Sequence, residues 1–364
     1  MPFEHLPPTT DHGSGVHFGD SPDKVLIFIN EVLTIPALTL PLGMRRVLLF
    51  LNPILMERHD RRATVDRVAE LLRSSGCEVE MQDSLSAHSA GEQAQDAVSS
   101  GFDTIFVCGG DGTIFQVIQG MAGSEAALGV IPFGTGNVLA QNLRLPRDPM
   151  AAARAQMHAP AISIPLGKIV CKTPGHAKDK NWYFTIAAGM GVHAALMNLA
   201  PTGTGKRVGG PLAYYASGIR LLIQHPIEPF DFEVTTTDGE VRRFRANEAI
   251  ALRVPAVNLW QAGGDLLKPE LRVASVRETT RAGLVHASFH ALVTRKSNGR
   301  SGLPYAQFDD ASMVVCKPLP DYDYQTPLLV EADGEVIGLE RAIITVAQRR
   351  LRLLWPESAI RDSN

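Results

Sequence analysis

The sequence predicts an α/β domain followed by an antiparallel β domain. In the first part of the chain, short apolar runs alternate with stretches whose apolar residues recur at helical spacing. This alternation is typical of an open parallel sheet with helices on both faces. Beyond about residue 165, strands are separated by Gly, Pro and Asp-Gly turns, which favours antiparallel pairing in a sandwich-like domain. We therefore expect an N-terminal extension (1–43), an α/β domain (44–165) and a β domain (166–356) whose last strands pack back toward the first domain.

Three apolar runs mark the predicted parallel strands. They occupy 47–51, 104–108 and 128–132 and lack the alternation of a half-exposed strand, so we expect burial on both faces. Residues 64–74 have the spacing of an amphipathic helix, and Gly76 is placed to end it. Between the first two runs the pattern predicts one more strand and one more helix, at 78–81 and 90–99.

The second part is predicted to consist mainly of strands. Thr237-Asp238-Gly239-Glu240 is typical of a hairpin turn between two of them. One helix is expected at 212–224. The predicted strands occupy 182–187, 230–236, 241–245, 249–254, 271–276 and 285–292.

The N-terminal extension divides into a polar tail (1–23) and an apolar segment (25–42). No basic region precedes the apolar segment, which makes it a poor signal peptide. Its glutamate and two prolines also argue against a membrane-spanning helix. We favour a packed, partly flexible extension; an extra strand or a peripheral membrane-touching segment is the alternative.

Composition narrows the function classes. Hydrophobic residues make up 45% and charged residues 20% of the 364 residues, as in globular proteins. The net charge of −3 gives no global attraction to nucleic acid, so we expect no nucleic-acid partner. Four widely spaced cysteines without a CxxC pair argue against a zinc site and a disulfide framework. We expect reduced, buried thiols in a cytoplasmic protein, at Cys77, Cys108, Cys171 and Cys316.

A glycine-rich loop follows the predicted strand at 104–108. This first glycine loop is Gly109-Gly110-Asp111-Gly112-Thr113, and an apolar helical stretch comes directly after it. Glycines at the carboxyl end of a parallel strand let backbone N–H groups approach phosphate oxygens, and a helix N-terminus favours negative charge. Because Asp111 repels phosphate, we expect it to orient a Mg²⁺ or its waters, or to cap the following helix. A tight strand-to-helix turn is the purely structural alternative.

A second glycine-rich loop repeats this arrangement. The strand at 128–132 leads into Phe133-Gly134-Thr135-Gly136-Asn137, the second glycine loop, which a short helix at 138–142 follows. Two strand–loop–helix units that end on the same sheet edge are expected to form two walls of one anion site. The second loop alone would also suit an ordinary turn with an asparagine cap; the pair together favours a phosphate site.

Four motifs resemble the diacylglycerol kinase catalytic family, which includes bacterial lipid kinases and the sphingoid-base and ceramide kinases. They are NP at 52–53, GGDGT at 109–113, PFGTGNVLA at 132–140 and DGE at 333–335. The resemblance extends from residue 44 to 356. It implies a two-domain fold with ATP and Mg²⁺ bound in a cleft between the domains, and a kinase that phosphorylates a lipid hydroxyl of diacylglycerol or sphingoid-base type.

The resemblance also implies roles for individual residues. Asp333 corresponds to the carboxylate that takes the proton from the lipid hydroxyl, and Glu335 is expected to assist it or hold metal. Without the resemblance, Asp333-Gly334 is a hairpin turn like Asp238-Gly239, and the residues alone do not choose between them. Asp111 is the expected metal residue. The predicted nucleotide-binding residues are Asn52, Gly109, Gly110, Asp111, Gly112, Thr113, Gly134, Thr135, Gly136 and Asn137.

The chain departs from the family pattern at several positions. Phe115 and Gln116 stand where a polar residue and then Glu usually follow the first glycine loop, and 54–58 replaces a Ser/Gly-containing turn. The segment 138–140 is closer to the sphingoid-base type. His193 stands where many members carry an acid; a lone histidine in an apolar, glycine-flanked stretch favours a structural role.

Two other functions stay open on the sequence alone. An NAD kinase shares the GGDGT loop, although the PFGTGNVLA and DGE motifs favour a lipid kinase. The departures at Phe115 and Gln116 also suit a nucleotide- or lipid-binding protein without catalysis. The expected partner is a lipid at a membrane surface, with peripheral contact on the inner face of the membrane. The segment 196–215 suits a mobile lid or a membrane-facing loop, and equally a plain exposed linker. A homodimer is left open.

Overall fold

The structure is a computed structural model that describes residues 45–86, 89–199, 226–257, 260–293 and 305–356. The N-terminal extension and the predicted helix at 212–224 lie outside the described residues. Of the proposed lid at 196–215, only 196–199 are described, and they lie in a helix.

The helices of the described residues are concentrated in the first half of the chain. They are α1 (Pro53–Met56), α2 (His59–Ser74), α3 (Ala90–Ser99), α4 (Asp111–Met121), α5 (Val138–Asn142), α6 (Pro149–Met157), α7 (Val192–Leu199) and α8 (Arg281–Val293). The strands are β1 (Arg46–Leu51), β2 (Glu78–Asp83), β3 (Thr104–Gly109), β4 (Ala127–Pro132), β5 (Ala161–Lys172), β6 (Lys180–Phe184), β7 (Ala187–Gly191), β8 (Phe230–Thr236), β9 (Val241–Leu252), β10 (Ala256–Val257), β11 (Trp260–Gln261), β12 (Leu271–Arg277), β13 (Ala306–Lys317), β14 (Leu329–Ala332) and β15 (Glu335–Leu354).

The first half forms the expected parallel sheet. Its strands lie in the order β4-β3-β1-β2, and every pair is parallel. All residues of β3 and β4 are buried, because helices cover both faces of this part of the sheet. The apolar runs of the sequence therefore marked these strands correctly.

The second half is antiparallel. Strands β14, β7, β9, β8, β13 and β12 pair in that order, and β12 also pairs with β9, so β12, β13, β8 and β9 form a closed ring of hydrogen-bonded strands. The prediction of a mixed α/β protein with a large antiparallel sheet is confirmed. Here Phe230, Phe232 and their neighbours form a separate core cluster.

One long strand joins the two halves. The 20-residue strand β15 pairs antiparallel with β14, β13 and β5. Near its end it pairs parallel with β4, with Arg352 opposite Ala127 and Leu353 opposite Leu128. Strand β5 runs along β15 from 161 to 172, across the boundary expected at 165.

Some local predictions were wrong. The segment 285–292, predicted as a strand, lies within helix α8. The hydroxyl of Thr280 accepts a hydrogen bond from Gly283 N–H at 3.2 Å, the contact of a helix cap, and the alternating apolar residues concealed this signal. The strand predicted at 182–187 is two strands, β6 and β7, separated by Thr185 and Ile186. That break contributes directly to the site described below.

Two smaller expectations can also be compared with the structure. All four cysteines are buried and none of them forms a disulfide, as predicted. Among the described residues, no helix combines the length and the apolar character that crossing a membrane requires.

Candidate active site

The first glycine loop joins the end of β3 to the start of α4. Gly110 is the N-cap of α4 in an extended conformation, and its carbonyl accepts hydrogen bonds from Thr113 and Ile114 N–H. A glycine cap has no side-chain acceptor, so backbone N–H groups of the first helical turn stay available to an anionic ligand. This is the local geometry that the sequence predicted for a phosphate loop.

The second glycine loop packs directly against the first. A Cβ on Gly110 would lie 3.1 Å from Gly134 Cα, and a Cβ on Gly134 would lie 2.7 Å from Gly110 Cα, so neither position has room for a side chain. Asn137, in the left-handed conformation with φ +48°, holds the loop closed: its amide accepts from Gly134 N–H and donates to Gly134 O. The structure thus brings both loops to one sheet edge, with Thr135 exposed at the tip.

Asp111 connects the two loops. Its carboxylate accepts hydrogen bonds from Val138 N–H at 3.0 Å and Leu139 N–H at 3.2 Å, at the start of α5. Of the two roles expected for Asp111, capping is therefore present, but it caps the helix after the second loop and not α4. Burial raises the pKa of Asp111, while the hydrogen bonds from these N–H groups act in the opposite direction. Gly136 lies close by, where a Cβ would be 3.1 Å from Asp111 Oδ2.

Asn52 supports the first glycine loop from the end of β1. Its side-chain amide donates to Thr113 Oγ1 at 2.9 Å, and its carbonyl oxygen accepts from Ile54 N–H at 3.1 Å. The second contact caps helix α1, with Pro53 in its first turn. The departure from the family pattern at 54–58 is thus mostly helix α1 in this chain. Through this hydrogen bond Asn52 orients the hydroxyl of Thr113, one of the predicted nucleotide-binding residues.

The DGE segment forms a two-residue hairpin turn between β14 and β15. Asp333 and Gly334 both have positive φ, +48° and +85°, as this tight turn requires. The Asp333 carboxylate is buried and accepts four hydrogen bonds: from the backbone N–H groups of Thr185, Ile186 and Ala187 and from the Thr185 hydroxyl, at 2.8–3.0 Å. These donors lie in or beside the break between β6 and β7.

The charge state of Asp333 reflects two opposing influences. Burial raises the pKa of the carboxyl to about 7. The hydrogen bonds from Thr185, Ala187 and Ile186 favour the ionised form and limit that rise, whereas the negative charge of Glu331 adds to it. A pKa near neutrality suits a group that accepts a proton during a reaction.

Glu335 brings the DGE turn to the first glycine loop. A Cβ on Gly112 would overlap the Glu335 carboxylate, so the two groups are in direct proximity. Two negative groups repel, and a phosphate on this loop therefore requires Glu335 to swing aside or a cation to lie between them. Two groups of residues that the sequence predicted for the site, the first glycine loop and the DGE turn, therefore lie next to each other.

Phe115, a departure from the family pattern, links α4 to the antiparallel half. Its side chain is fully buried and stacks on Trp182 with ring centroids 5.7 Å apart. One turn later, the Gln119 amide donates to Tyr183 O and accepts from Tyr183 N–H, which binds α4 to strand β6. The phenylalanine therefore has a packing role beside the site.

His193 has two acidic partners that the sequence did not reveal. The ring lies between Glu248 and Glu331, and Glu331 also accepts a hydrogen bond from Gly334 N–H. These partners are 55 and 138 residues away from the histidine along the chain. No local pattern connects them, so sequence reasoning about a single chain had no signal to follow.

The described residues fit a magnesium ion only in a limited way. They contain no group of three His, Cys, Asp or Glu side chains arranged around a common point. Mg²⁺ commonly keeps several waters and binds through one or two carboxylates plus substrate phosphates, so such a group is not required. Backbone N–H groups already surround the Asp111 carboxylate, so an ion near it would be held through its waters.

Comparisons with known proteins agree with the motifs. Residues 46–169 match the family model described as "Diacylglycerol kinase catalytic domain". A diacylglycerol kinase of Staphylococcus aureus (strain bovine RF122 / ET3-1) is 24% identical over 87% of this chain and 95% of the relative. The diacylglycerol kinase of Bacillus subtilis (strain 168) is 31% identical over 55% of this chain and 64% of the relative.

A solved structure shows the same fold. The crystal structure of a diacylglycerol kinase from Bacillus anthracis str. Sterne aligns with a TM-score of 0.58 and 16% identity over 86% of this chain and 98% of that chain. The resemblance predicted from the sequence is confirmed by these matches, which also indicate a lipid kinase enzyme, as the sequence predicted.

Proposed function

We propose that this chain, whose residues 46–169 match the diacylglycerol kinase catalytic domain, transfers the γ-phosphate of ATP to a lipid hydroxyl. The observation that carries the proposal is the contact between Gly112 of the first glycine loop and Glu335 of the DGE turn. This contact supports a common site, because it sets the turn that carries Asp333, the proposed proton acceptor, beside the proposed phosphate-binding loop. The acceptor is of the diacylglycerol or sphingoid-base type.

The two glycine loops would hold the ATP phosphates. Backbone N–H groups at the start of α4 offer hydrogen bonds, and the absence of side chains at Gly110 and Gly134 lets the phosphates approach closely. Asn52 and Asp111 act as supports: Asn52 orients Thr113, and Asp111 fixes the second loop against the first. Mg²⁺ bound near Asp111 would neutralise phosphate charge.

Asp333 would act as the general base. All four lone-pair positions of its carboxylate are occupied, so an acceptor hydroxyl must replace one donor. The Thr185 hydroxyl is the donor that can rotate away without moving the backbone. The lipid hydroxyl then donates to Asp333, its oxygen bonds to the γ-phosphorus, the bond to the ADP oxygen breaks, and the proton remains on Asp333.

A lipid acceptor requires access to a membrane or micelle. We propose peripheral contact with a membrane surface on this ground alone, since the acceptor resides there. Mg²⁺ dependence completes the expected behaviour and is measured by chelation during the assay. The sequence leaves a homodimer open, and gel filtration measures the oligomeric state directly.

The test is a kinase assay with purified protein, labelled ATP and a panel of lipid micelles, with the product identified by mass. We expect label in a phosphorylated diacylglycerol or sphingoid base, and loss of that label in Asp333→Asn. A parallel reaction with NAD is included. Label that appears only in NADP would support an NAD kinase, and ATP binding without any turnover would support a non-catalytic protein.

A further inference from the structure

A buried chain of charged groups lies directly behind the Asp333-Gly334 turn. His193, in the first turn of α7, has Nδ1 in contact with Glu248 Oε1 and Nε2 at 2.8 Å from Glu331 Oε1. Glu331 Oε2 accepts a hydrogen bond from Gly334 N–H at 2.9 Å. The side chains of His193, Glu248 and Glu331 are only 15%, 13% and 3% exposed, so little water competes for these contacts.

The geometry determines the protonation of the histidine. An ionised carboxylate only accepts hydrogen bonds, so a ring nitrogen that faces one must carry a proton. Both ring nitrogens of His193 face a carboxylate, which makes the ring a doubly donating imidazolium between Glu248 and Glu331. Burial by itself lowers the pKa of His193, but the two carboxylates outweigh that effect and raise the pKa to about 10.

We propose that His193 is a positioning residue: it holds the Glu331 carboxylate against Gly334 N–H and thereby fixes the Asp333–Glu335 turn against the first glycine loop. This inference rests on the proposed catalytic role of Asp333. It assigns the histidine a part in the reaction through Glu331, without contact between His193 and the substrates.

Neighbouring residues leave space for the His193 ring and bring helix α7 close to the turn. Gly189 pairs with Glu331 across the sheet, and a Cβ on Gly189 would overlap the Ala249 carbonyl and lie 3.0 Å from His193 Cε1, so only glycine fits between that carbonyl and the ring. Met197 of α7 also lies near the turn, since its Sδ would be 3.9 Å from a Cβ on Gly334. Helix α7 is therefore connected to the turn through the charged chain and lies beside it.

Removing the imidazolium would loosen the turn. Glu248 and Glu331 would then be two negative charges in a buried region with no cation between them, and Glu331 would rotate away or take up a proton. Gly334 N–H would lose a charged acceptor. Because displacements of about 1 Å can lower a rate by about 100-fold, even a small shift of Asp333 would slow phosphoryl transfer.

The first test is the variant His193→Gln, assayed for lipid phosphorylation over a range of ATP concentrations that extends to saturation. We expect kcat to fall at least about tenfold while the KM for ATP changes less than about twofold, since the glycine loops are untouched. His286→Gln is the matched control, because His286 lies on α8 and contacts Tyr305. A folded His193→Gln variant with unchanged kcat would overturn the proposal.

A second measurement does not depend on activity, and its first part uses the wild-type protein alone. In ¹⁵N-histidine-labelled wild-type protein at about pH 8, both ring nitrogens of His193 should carry protons, and the Gly334 amide should exchange slowly. In His193→Gln, Gly334 should exchange at least about tenfold faster, with Ala332 unchanged. A neutral His193 ring in wild type, or unaltered exchange at Gly334, would contradict the inference. Wild-type protein that phosphorylates no lipid would instead contradict the proposed function.

Discussion

The chain contains two Asp-Gly hairpin turns among the described residues, one exposed and one with a buried aspartate. Asp238-Gly239 joins β8 to β9 in full exposure, and a Cβ on Gly239 would meet nothing within 4 Å. The Asp238 carboxylate accepts a hydrogen bond from the Thr236 hydroxyl, two residues away, which lowers its pKa. Asp333-Gly334 joins β14 to β15, yet Asp333 is 6% exposed and its pKa is raised to about 7 by burial.

The difference comes from contacts that are distant in sequence. The donors to Asp333 are 146 to 148 residues away, whereas Asp238 is bonded by residues within two positions. In both turns the glycine has positive φ, but of the two aspartates only Asp333 does. The pKa of each carboxylate is determined by the groups that the rest of the fold packs around it.

The largest contrast should come from removing each carboxylate. We expect Asp333→Asn to lower kcat about 10²- to 10⁴-fold, the usual contribution of a general base, and Asp238→Asn to leave kcat unchanged. In Asp333→Asn the new amide nitrogen would face backbone donors, so the melting temperature of each variant is measured beside the lipid kinase assay. Substantial activity in a folded Asp333→Asn variant would remove Asp333 from the role of base.

The pH dependence of wild type is the next largest effect. A base acts in its ionised form, and the ionised fraction of Asp333 falls as pH drops below its raised pKa of about 7. We therefore expect kcat/KM to fall about tenfold per pH unit well below neutrality, measured between about pH 5 and pH 9. A rate that stays level down to about pH 5 would indicate a base with an ordinary carboxyl pKa, as at an exposed turn.

The two glycines offer a matched comparison of backbone strain. Gly239 and Gly334 have φ of +89° and +85°, so alanine at either position is strained by about 1–2 kcal/mol. We expect both variants to lose comparable stability in urea unfolding, and only Gly334→Ala to lose activity, because it displaces Asp333. Equal activity losses in the two variants would indicate a global effect.

The smallest effect is expected from Thr185→Val. The hydroxyl of Thr185 donates to Asp333 at 3.0 Å, and its loss removes one hydrogen bond to the ionised form. The pKa of Asp333 should therefore rise, which moves the acid limb of kcat/KM to higher pH with little change at alkaline pH. Thr236→Val, at the other turn, is the control and should leave the profile in place. If the acid limb of kcat/KM does not move in Thr185→Val, the backbone donors alone determine the pKa of Asp333.

Local sequence patterns were sufficient for the parallel half and its loops. Uninterrupted apolar runs identify strands buried on both faces, and β3 and β4 are buried along their whole length. Glycines directly after such strands identified both loops, and the close approach of Gly110 and Gly134 gives the physical reason why glycine is needed there.

Nonlocal features escaped prediction. Nothing near Thr185 and Ile186 announces a break between two strands, because the break is stabilised by the Asp333 carboxylate from the far end of the chain. The partners of His193 are equally remote. The prediction for helix α8 was wrong for a different reason. The spacing of its apolar residues fits a strand as well as a helix, and the helix cap at Thr280 was the signal that distinguishes the two.

The position of β15 has a consequence for how the protein is made. This strand carries Glu335 at its start and pairs with β5 and β4, which precede it by well over a hundred residues. Contacts of such long range form late, and during synthesis they must wait until most of the chain has left the ribosome. A nascent chain would therefore display both glycine loops long before Asp333 and Glu335 exist. Phosphoryl transfer would begin only after β15 has been translated.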